Sequence, residues 1–257
     1  MAKNVYIGIA NLSKRVPTIY IGVANVARKV IRGYIGINNL AKEFYSSEPV
    51  LIFETKTPGT YTQSLSSGLY EITLIGSGGG GSGARSVVVN NHHYAQGGVG
   101  GTLQFIAKLN ANATVTLTLG DKGQTKSGTF GNSGTSISGT DGGFANITGF
   151  GDLTAKAGGG SGAKIVSTSS SACTKTVGLM GVNTITGASV IEVLINNTNK
   201  IVGRESTSMG TSRTPSGCSN TNWSEDTTIG KGGDCGWRST AFVSMAPGAG
   251  LLRIKKL

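Results

Sequence analysis

Leu69–Ala84 reads LYEITLIGSGGGGSGA, a short apolar strand that runs directly into glycine. Two further tracts follow, Gly97–Gly101 (GGVGG) and Ala157–Ala163 (AGGGSGA), and glycine totals 42 of the 257 residues. Glycine loses more conformational entropy on folding than any other residue. A chain that keeps so much of it needs either tightly approaching backbones or many turns with positive φ. We expect the first, main chains lying against one another in an inert scaffold. Glu71–Ile75 followed by Gly76-Ser-Gly-Gly-Gly-Gly81 also fits a strand plus G-x-G-x-x-G, the dinucleotide-binding pattern. That pattern works only when a helix follows and an acid lies about 20 residues on. Here Ser86-Val-Val-Val-Asn-Asn-His-His reads as strand and turn, and no acid occurs between Glu71 and Asp121. The match is a by-product of low complexity, and no cofactor is expected.

Outward from this stretch the chain keeps a β character. Hydrophobic residues make up 37% and charged residues 14%, and Val, Ile, Thr and Tyr recur in short alternating runs. Expected strands are 51–54, 69–75, 86–89, 102–109, 114–119, 153–157, 190–195, 200–202, 241–244 and 251–254. Thr114-Val-Thr-Leu-Thr-Leu119 alternates without fault, giving one apolar and one polar face. No stretch has a helical period. The fold class read from the sequence is all-β: a β-hairpin repeat module over 1–46, then a glycine-rich β-sandwich over 47–257 with an inserted polar loop region around 165–240. No apolar run approaches the roughly 18 residues of a membrane span, so no membrane insertion is expected. The first residues lack the features of a secretory signal, and the expectation is assembly in a cytoplasm.

Residues 6–44 hold one pattern three times: YIGIANLSKRV from Tyr6, YIGVANVARKV from Tyr20 and YIGINNLAKEF from Tyr34. So short a period suits one hairpin per copy, turning at Ala10-Asn11, Ala24-Asn25 and Asn38-Asn39 because Asn tolerates the left-handed conformation. Such turns set Tyr6 opposite Arg15, Tyr20 opposite Lys29 and Tyr34 opposite Glu43. Gly8, Gly22 and Gly36 then face Ser13, Ala27 and Ala41. A cation over the ring is available in the first two copies. The net charge is +11, and residues 1–42 carry seven basic residues and no acid. We expect this module to attach the chain to other proteins, with Tyr6, Arg15, Tyr20, Lys29 and Tyr34 at the contact. Nucleic acid is not the expected partner, since neither a helix nor a zinc spacing nor a stacking sheet accompanies the charge.

Leu51–Ala84 (LIFETKTPGTYTQSLSSGLYEITLIGSGGGGSGA) resembles the glycine-rich domain of bacteriophage tail and tail-fibre proteins, in which a TPGTYT strand precedes a VTLIGGGGGG strand. Residues 97–102, 112–120, 155–160 and 246–254 are similar to that domain's successive elements. The YIG repeats resemble modules of phage virion proteins of Gram-positive hosts. The resemblance covers roughly 5–165 and 240–257. It implies a structural component of a phage or phage-like particle, of tail-fibre or tail-tip type, which recognises a host-surface polysaccharide or protein. It supplies no catalytic residue. The rival expectation is a purely structural head fibre, capsid decoration or baseplate protein. Fibre proteins are commonly symmetric, and a homotrimer in the virion is expected.

Residues 203–240 contain few aliphatic side chains but both tryptophans. A connection this long is usually either disordered or functional. Each indole either pins the loop to the sandwich or recognises a receptor. In the second case Trp223 and Trp237 stack on sugar faces while Asp234 or Arg238 bonds hydroxyls, and Tyr94 joins them. Cys173, Cys218 and Cys235 are an odd number without C-x-x-C spacing, which leaves one Cys218–Cys235 bridge open. His92 and His93 are adjacent and point to opposite faces of a strand, so no metal site is expected within the chain. Neither a G-x-S-x-G elbow nor an H-E-x-x-H motif occurs, and no paired carboxylates suit glycoside hydrolysis. The expectation is a protein without enzymatic activity.

Overall fold

A computed structural model describes residues 49–197, 203–209, 212–238 and 240–257, together with the main chain of strands between 5 and 46. Among the described residues every regular element is a strand, and no helix is long and apolar enough to cross a membrane. The chain divides into two units, 1–52 with 255–257, and 53–254.

The first unit contains β1 (Val5–Ile9), β2 (Leu12–Val16), β3 (Tyr20–Val23), β4 (Val26–Lys29), β5 (Arg32–Ile37) and β6 (Leu40–Ser46). They form three separate antiparallel pairs, in which Tyr6 lies opposite Arg15, Tyr20 opposite Lys29 and Tyr34 opposite Glu43. The dipeptides expected at the turns lie outside the described residues, as do the side chains expected to make the attachment. The strand expected at 200–202 also lies outside them.

The second unit is built by a chain that shuttles. β7 (Val50–Thr55), β8 (Gly59–Leu65) and β9 (Gly68–Ile75) lead into residues 76–81, which emerge as β10 (Ser82–Ser86). β11 (Asn91–Ala95) returns through 96–101 to β12 (Thr102–Leu109) and β13 (Ala113–Leu119). Residues 120–125 lead out to β14 (Lys126–Phe130) and β15 (Ser136–Ser138), and 139–144 lead back to β16 (Ala145–Phe150) and β17 (Leu153–Ala157). Then 158–163 pass outward to β18 (Lys164–Ser167) and β19 (Cys173–Thr176). Residues 177–182 return to β20 (Asn183–Thr186) and β21 (Val190–Asn196). β22 (Glu205–Met209) precedes the tryptophan loop, 230–233 lead to β23 (Asp234–Arg238) and β24 (Ala241–Met245), and 246–250 close on β25 (Leu251–Lys256).

This traffic produces layers. At one end, two five-stranded sheets, ordered β21-β12-β9-β25-β7 and β20-β17-β16-β13-β8, share one apolar cluster. Alternation places Val115, Leu117 and Leu119 of β13 inside, against Ile72 and Leu74 of β9 and Phe105 of β12. Tyr70 and Phe150 meet edge to face at 5.7 Å. At the other end lie the sheet β14-β10-β11-β22, the sheet β15-β18-β19 and the separate β23–β24 hairpin.

The glycine stretches form the layer between. Gly76 donates to Gly101 O (3.0 Å), Ser77 to Gly143 O (2.9 Å) and Gly78 to Gly248 O (3.0 Å). Gly79 then returns to the first neighbour at Gly98 O (2.9 Å) and Gly80 to the second at Thr140 O (2.8 Å). The bonding direction therefore repeats every three residues, as in a threefold polyproline II-type helix, and not every two as in a strand. Carbonyls 77 to 80 accept from three further stretches, through Gly160 N, Gly123 N, Gly233 N and Ala163 N. The 76–81 segment is thus ringed by six others, which satisfy its buried amides and carbonyls.

At the glycines of that run a Cβ does not fit. One on Gly78 would sit 1.9 Å from Lys231 O, and one on Gly79 2.1 Å from Ser161 O. Neither residue has positive φ, so close approach is what calls for glycine here. The one side chain admitted in the run, Ser77, bridges two stretches: its hydroxyl donates to Gly120 O (2.8 Å) and accepts from Gly250 N (3.0 Å).

Two expectations change. Residues 165–240, read as an inserted polar loop region, contain β19 to β23, the greater part of β18, and two stretches of the glycine layer, 177–182 and 230–233. Of the strand expected at 86–89, only Ser86 is strand, as the last residue of β10, and 87–89 are a turn.

Candidate recognition surface

The turns beyond the second set of sheets are shaped by buried serines. Ser86 Oγ accepts from Val88 N and Val89 N, both at 3.2 Å, and donates to Ser170 O at 2.7 Å. Asn90 takes the left-handed conformation, φ 52°, and accepts from Arg85 Nε at 3.0 Å. Ser167 does the same for the neighbouring turn, donating to Asn132 O (2.6 Å) and accepting from Thr135 N (2.8 Å). The result throws Val87 and Val88 outward, 62% and 61% exposed, with Val89 beside them at 44%. Three adjacent exposed valines on stapled turns make an apolar patch of the kind found at interaction sites. The sequence signal was Asn90-Asn91 after the valine run, a turn dipeptide outweighed by β-branched propensity.

Of the residues expected to recognise a receptor, Tyr94, Trp223, Trp237 and Asp234 are buried, and Arg238 is exposed. Trp223 lies with Ile75, Ile229 and Leu251. Arg253 covers its ring at 5.3 Å while bonding Glu54 (2.6 Å) and Glu225 (2.7 Å). Its indole pins the long loop, which is the packing alternative of the two considered. Trp237 belongs to a different cluster with Tyr94, Cys235 and Phe242. Its ring centroid is 4.2 Å from His92 and 5.0 Å, edge on, from Phe242, with the Arg85 guanidinium 5.1 Å away.

Asp234 organises the ground beneath that cluster. Its carboxylate accepts from Arg213 Nη2 (2.8 Å), Gln96 Nε2 (3.2 Å), Ser216 N (3.1 Å) and Cys235 N (2.8 Å). Arg213 also donates to Cys235 O and lies 4.6 Å over the Tyr94 ring. Tyr94, Trp237 and Asp234 are therefore brought together, and Trp223 stands apart. Arg213 and Ser86 were missed because nothing local in the sequence marks their partners.

Burial, reinforced by Arg85, lowers the pKa of His92, and burial with Lys175 lowers that of His93. Burial pushes Tyr94 up. Cys173, Cys218 and Cys235 are free thiols, so Cys218 and Cys235 are not bridged. Burial raises all three, Cys173 to about 11 and Cys235 to about 12. Among the described residues no group of three or more His, Cys, Asp or Glu is placed to hold a metal ion. No protein-family model matches the chain, and no curated protein matches it.

Proposed function

We propose that this chain is a structural protein of a bacteriophage or phage-like particle, of tail-fibre or tail-tip type, that recognises a host-surface polysaccharide or protein. The observation that carries the reading is the glycine lattice. A bundle of hydrogen-bonded threefold helices is stiff and chemically inert, and it holds turns with exposed Val87–Val89 at a fixed place. That is how a binding surface is mounted on a rigid scaffold. On this reading the chain binds and does not catalyse. A cleft of about 660 Å³ beside Asn110 and Asn112 contains one carboxylate, Asp152, which Ala188 N and Ser189 already engage. Glycoside hydrolysis asks for two carboxylates across the bond.

The finer architecture is a hairpin-repeat module over 1–46, which docks on other virion proteins, and a glycine-rich β-sandwich body beyond it. The body assembles as a homotrimer in the virion. The receptor surface is the valine turn with its neighbours, and not the indoles. A second reading, a head fibre, capsid decoration or baseplate protein without a receptor, is favoured by the burial of Trp223 and Trp237.

Labelled full-length protein applied to host cells tests the choice. Saturable binding, lost in a Val87→Asp/Val88→Asp variant of unchanged circular dichroism, is expected for recognition. Absence of binding with antibody decoration of purified particles selects the structural reading. A chain absent from particles overturns both.

A further inference from the structure

The β23–β24 hairpin is a two-stranded sheet laid over β10 and β11. Arg213 is bridged to its edge by Arg213 N to Trp237 O (2.8 Å) and Trp237 N to Arg213 O (3.0 Å), so that Arg213 moves with it. Its root is tied into the glycine lattice by Gly97 N to Gly233 O (2.9 Å) and Gly233 N to Gly79 O (2.8 Å). Towards its tip it rests on rings: Trp237 at 4.2 Å from His92, and Phe242 edge on to the same imidazole at 6.3 Å. His92 is fully buried, and neither ring nitrogen has a hydrogen-bond partner. A neutral imidazole so placed forgoes one donor and one acceptor bond. A protonated one would forgo two donor bonds and bury a charge.

The surroundings do not favour that charge. Arg85 of β10 stands directly opposite His92 in the strand register, with its guanidinium over Trp237. Ser208 of β22 is opposite on the other side, and Tyr94 is two residues along the same face. From the hairpin side come Cys235, whose thiol is raised well above the usual range, Arg238 at the exposed end, and Asp234, whose carboxylate is committed to Arg213. His93 points the other way, beside Phe130, Thr207 and Lys175.

We propose that the tip of the β23–β24 hairpin is an acid-released clasp, which lifts from β11 when His92 takes up a proton. In the lifted state the imidazole meets water and titrates near its free value of about 6.5. In the closed state it resists protonation. The open form therefore binds more protons, and the open-to-closed ratio rises about tenfold for each pH unit below 6.5, until the closed form's own lower pKa is reached. Acidification uncovers an aromatic strip of His92, Tyr94, Trp237 and Phe242 that neutral pH conceals.

Hydrogen–deuterium exchange of the full chain between pH 7.5 and 4.5, corrected for intrinsic rates, tests this. Peptides covering 234–245 are expected to exchange about tenfold faster per pH unit below 6.5, while β12 and β13 stay protected. The His92→Phe variant should remain flat and His93→Phe should follow the wild type. A flat wild type, or a His92→Phe response like the wild type's, overturns the proposal. Should His92→Phe fail to fold, the wild-type His92 ring titration by NMR decides. Protonation coincident with opening of 234–245 supports the clasp, and protonation without opening overturns it.

Discussion

Adding one methyl group to Gly79 puts the lattice under the sharpest test. The new Cβ would lie 2.1 Å from Ser161 O, 2.4 Å from Ser161 C and 2.6 Å from Gly160 O, over an ångström inside ordinary contact distance. The clashing atoms are backbone, so no side chain can swing away. To make room, 158–163 must move off the central segment, opening Gly160 N to Ser77 O and Ala163 N to Gly80 O. A buried amide left unpaired costs about 1–3 kcal/mol, and overpacking adds about 1–3 kcal/mol. With two amides opened, Gly79→Ala should therefore lose about 3–9 kcal/mol out of a total of about 5–15 kcal/mol. In a chain of this size that lowers Tm by roughly 6–36 °C. Gly134 supplies the control, with nothing within 4 Å of its Cβ direction and φ of 85°; its replacement by Ala costs only the left-handed strain of about 1–2 kcal/mol. Paired urea and thermal melts measure both. If Gly79→Ala is no less stable than Gly134→Ala, the close-packing argument is refuted.

Trp223→Ala, which empties a cluster with Ile75, Ile229 and Leu251, should cost about 3–5 kcal/mol in chemical denaturation. A purely surface indole would give almost no change. Asp234→Ala removes the carboxylate that pairs the Arg213 guanidinium beside Tyr94 and that accepts from Gln96 Nε2 and Ser216 N; a loss of about 3 kcal/mol is expected, read by the same melts. The thiols, half-buried Cys173 raised to about 11 and buried Cys235 to about 12, should react slowly with a disulfide reagent at pH 8 in the native protein and fully in denaturant. Rapid native labelling would show that this part of the structure is open.

What the sequence revealed followed from pattern strength. β12 and β17 were legible to the residue, and β13 to within one, because apolar residues alternate with polar ones over a full strand. β15, β19 and β20 were not, since SIS, CTKT and NTIT are only three or four residues long, and their half-buried positions hold no more than Ile137, Cys173 with Lys175, and Asn183 with Ile185, among exposed Ser and Thr. The glycine tracts announced close packing, yet their threefold geometry was hidden. A period of three emerges only once six neighbours stand around 76–81, and two of these, GDKGQT at 120–125 and GTDGGF at 139–144, hardly look like glycine tracts. The two tryptophans were visible as landmarks, but whether an indole packs inward depends on partners such as Leu251 and His92, which are distant in sequence. Arg213, which secures Asp234, carried no local signal.

Through-hydrogen-bond scalar couplings in isotopically labelled protein measure the lattice directly. Gly79 N should couple to the Gly98 carbonyl and Gly80 N to the Thr140 carbonyl, with Gly76 N returning to the Gly98 stretch at Gly101. Couplings that alternate between two neighbours only, or amides of 76–81 that exchange at the rate of an open loop, would contradict the threefold bundle on which the account is built.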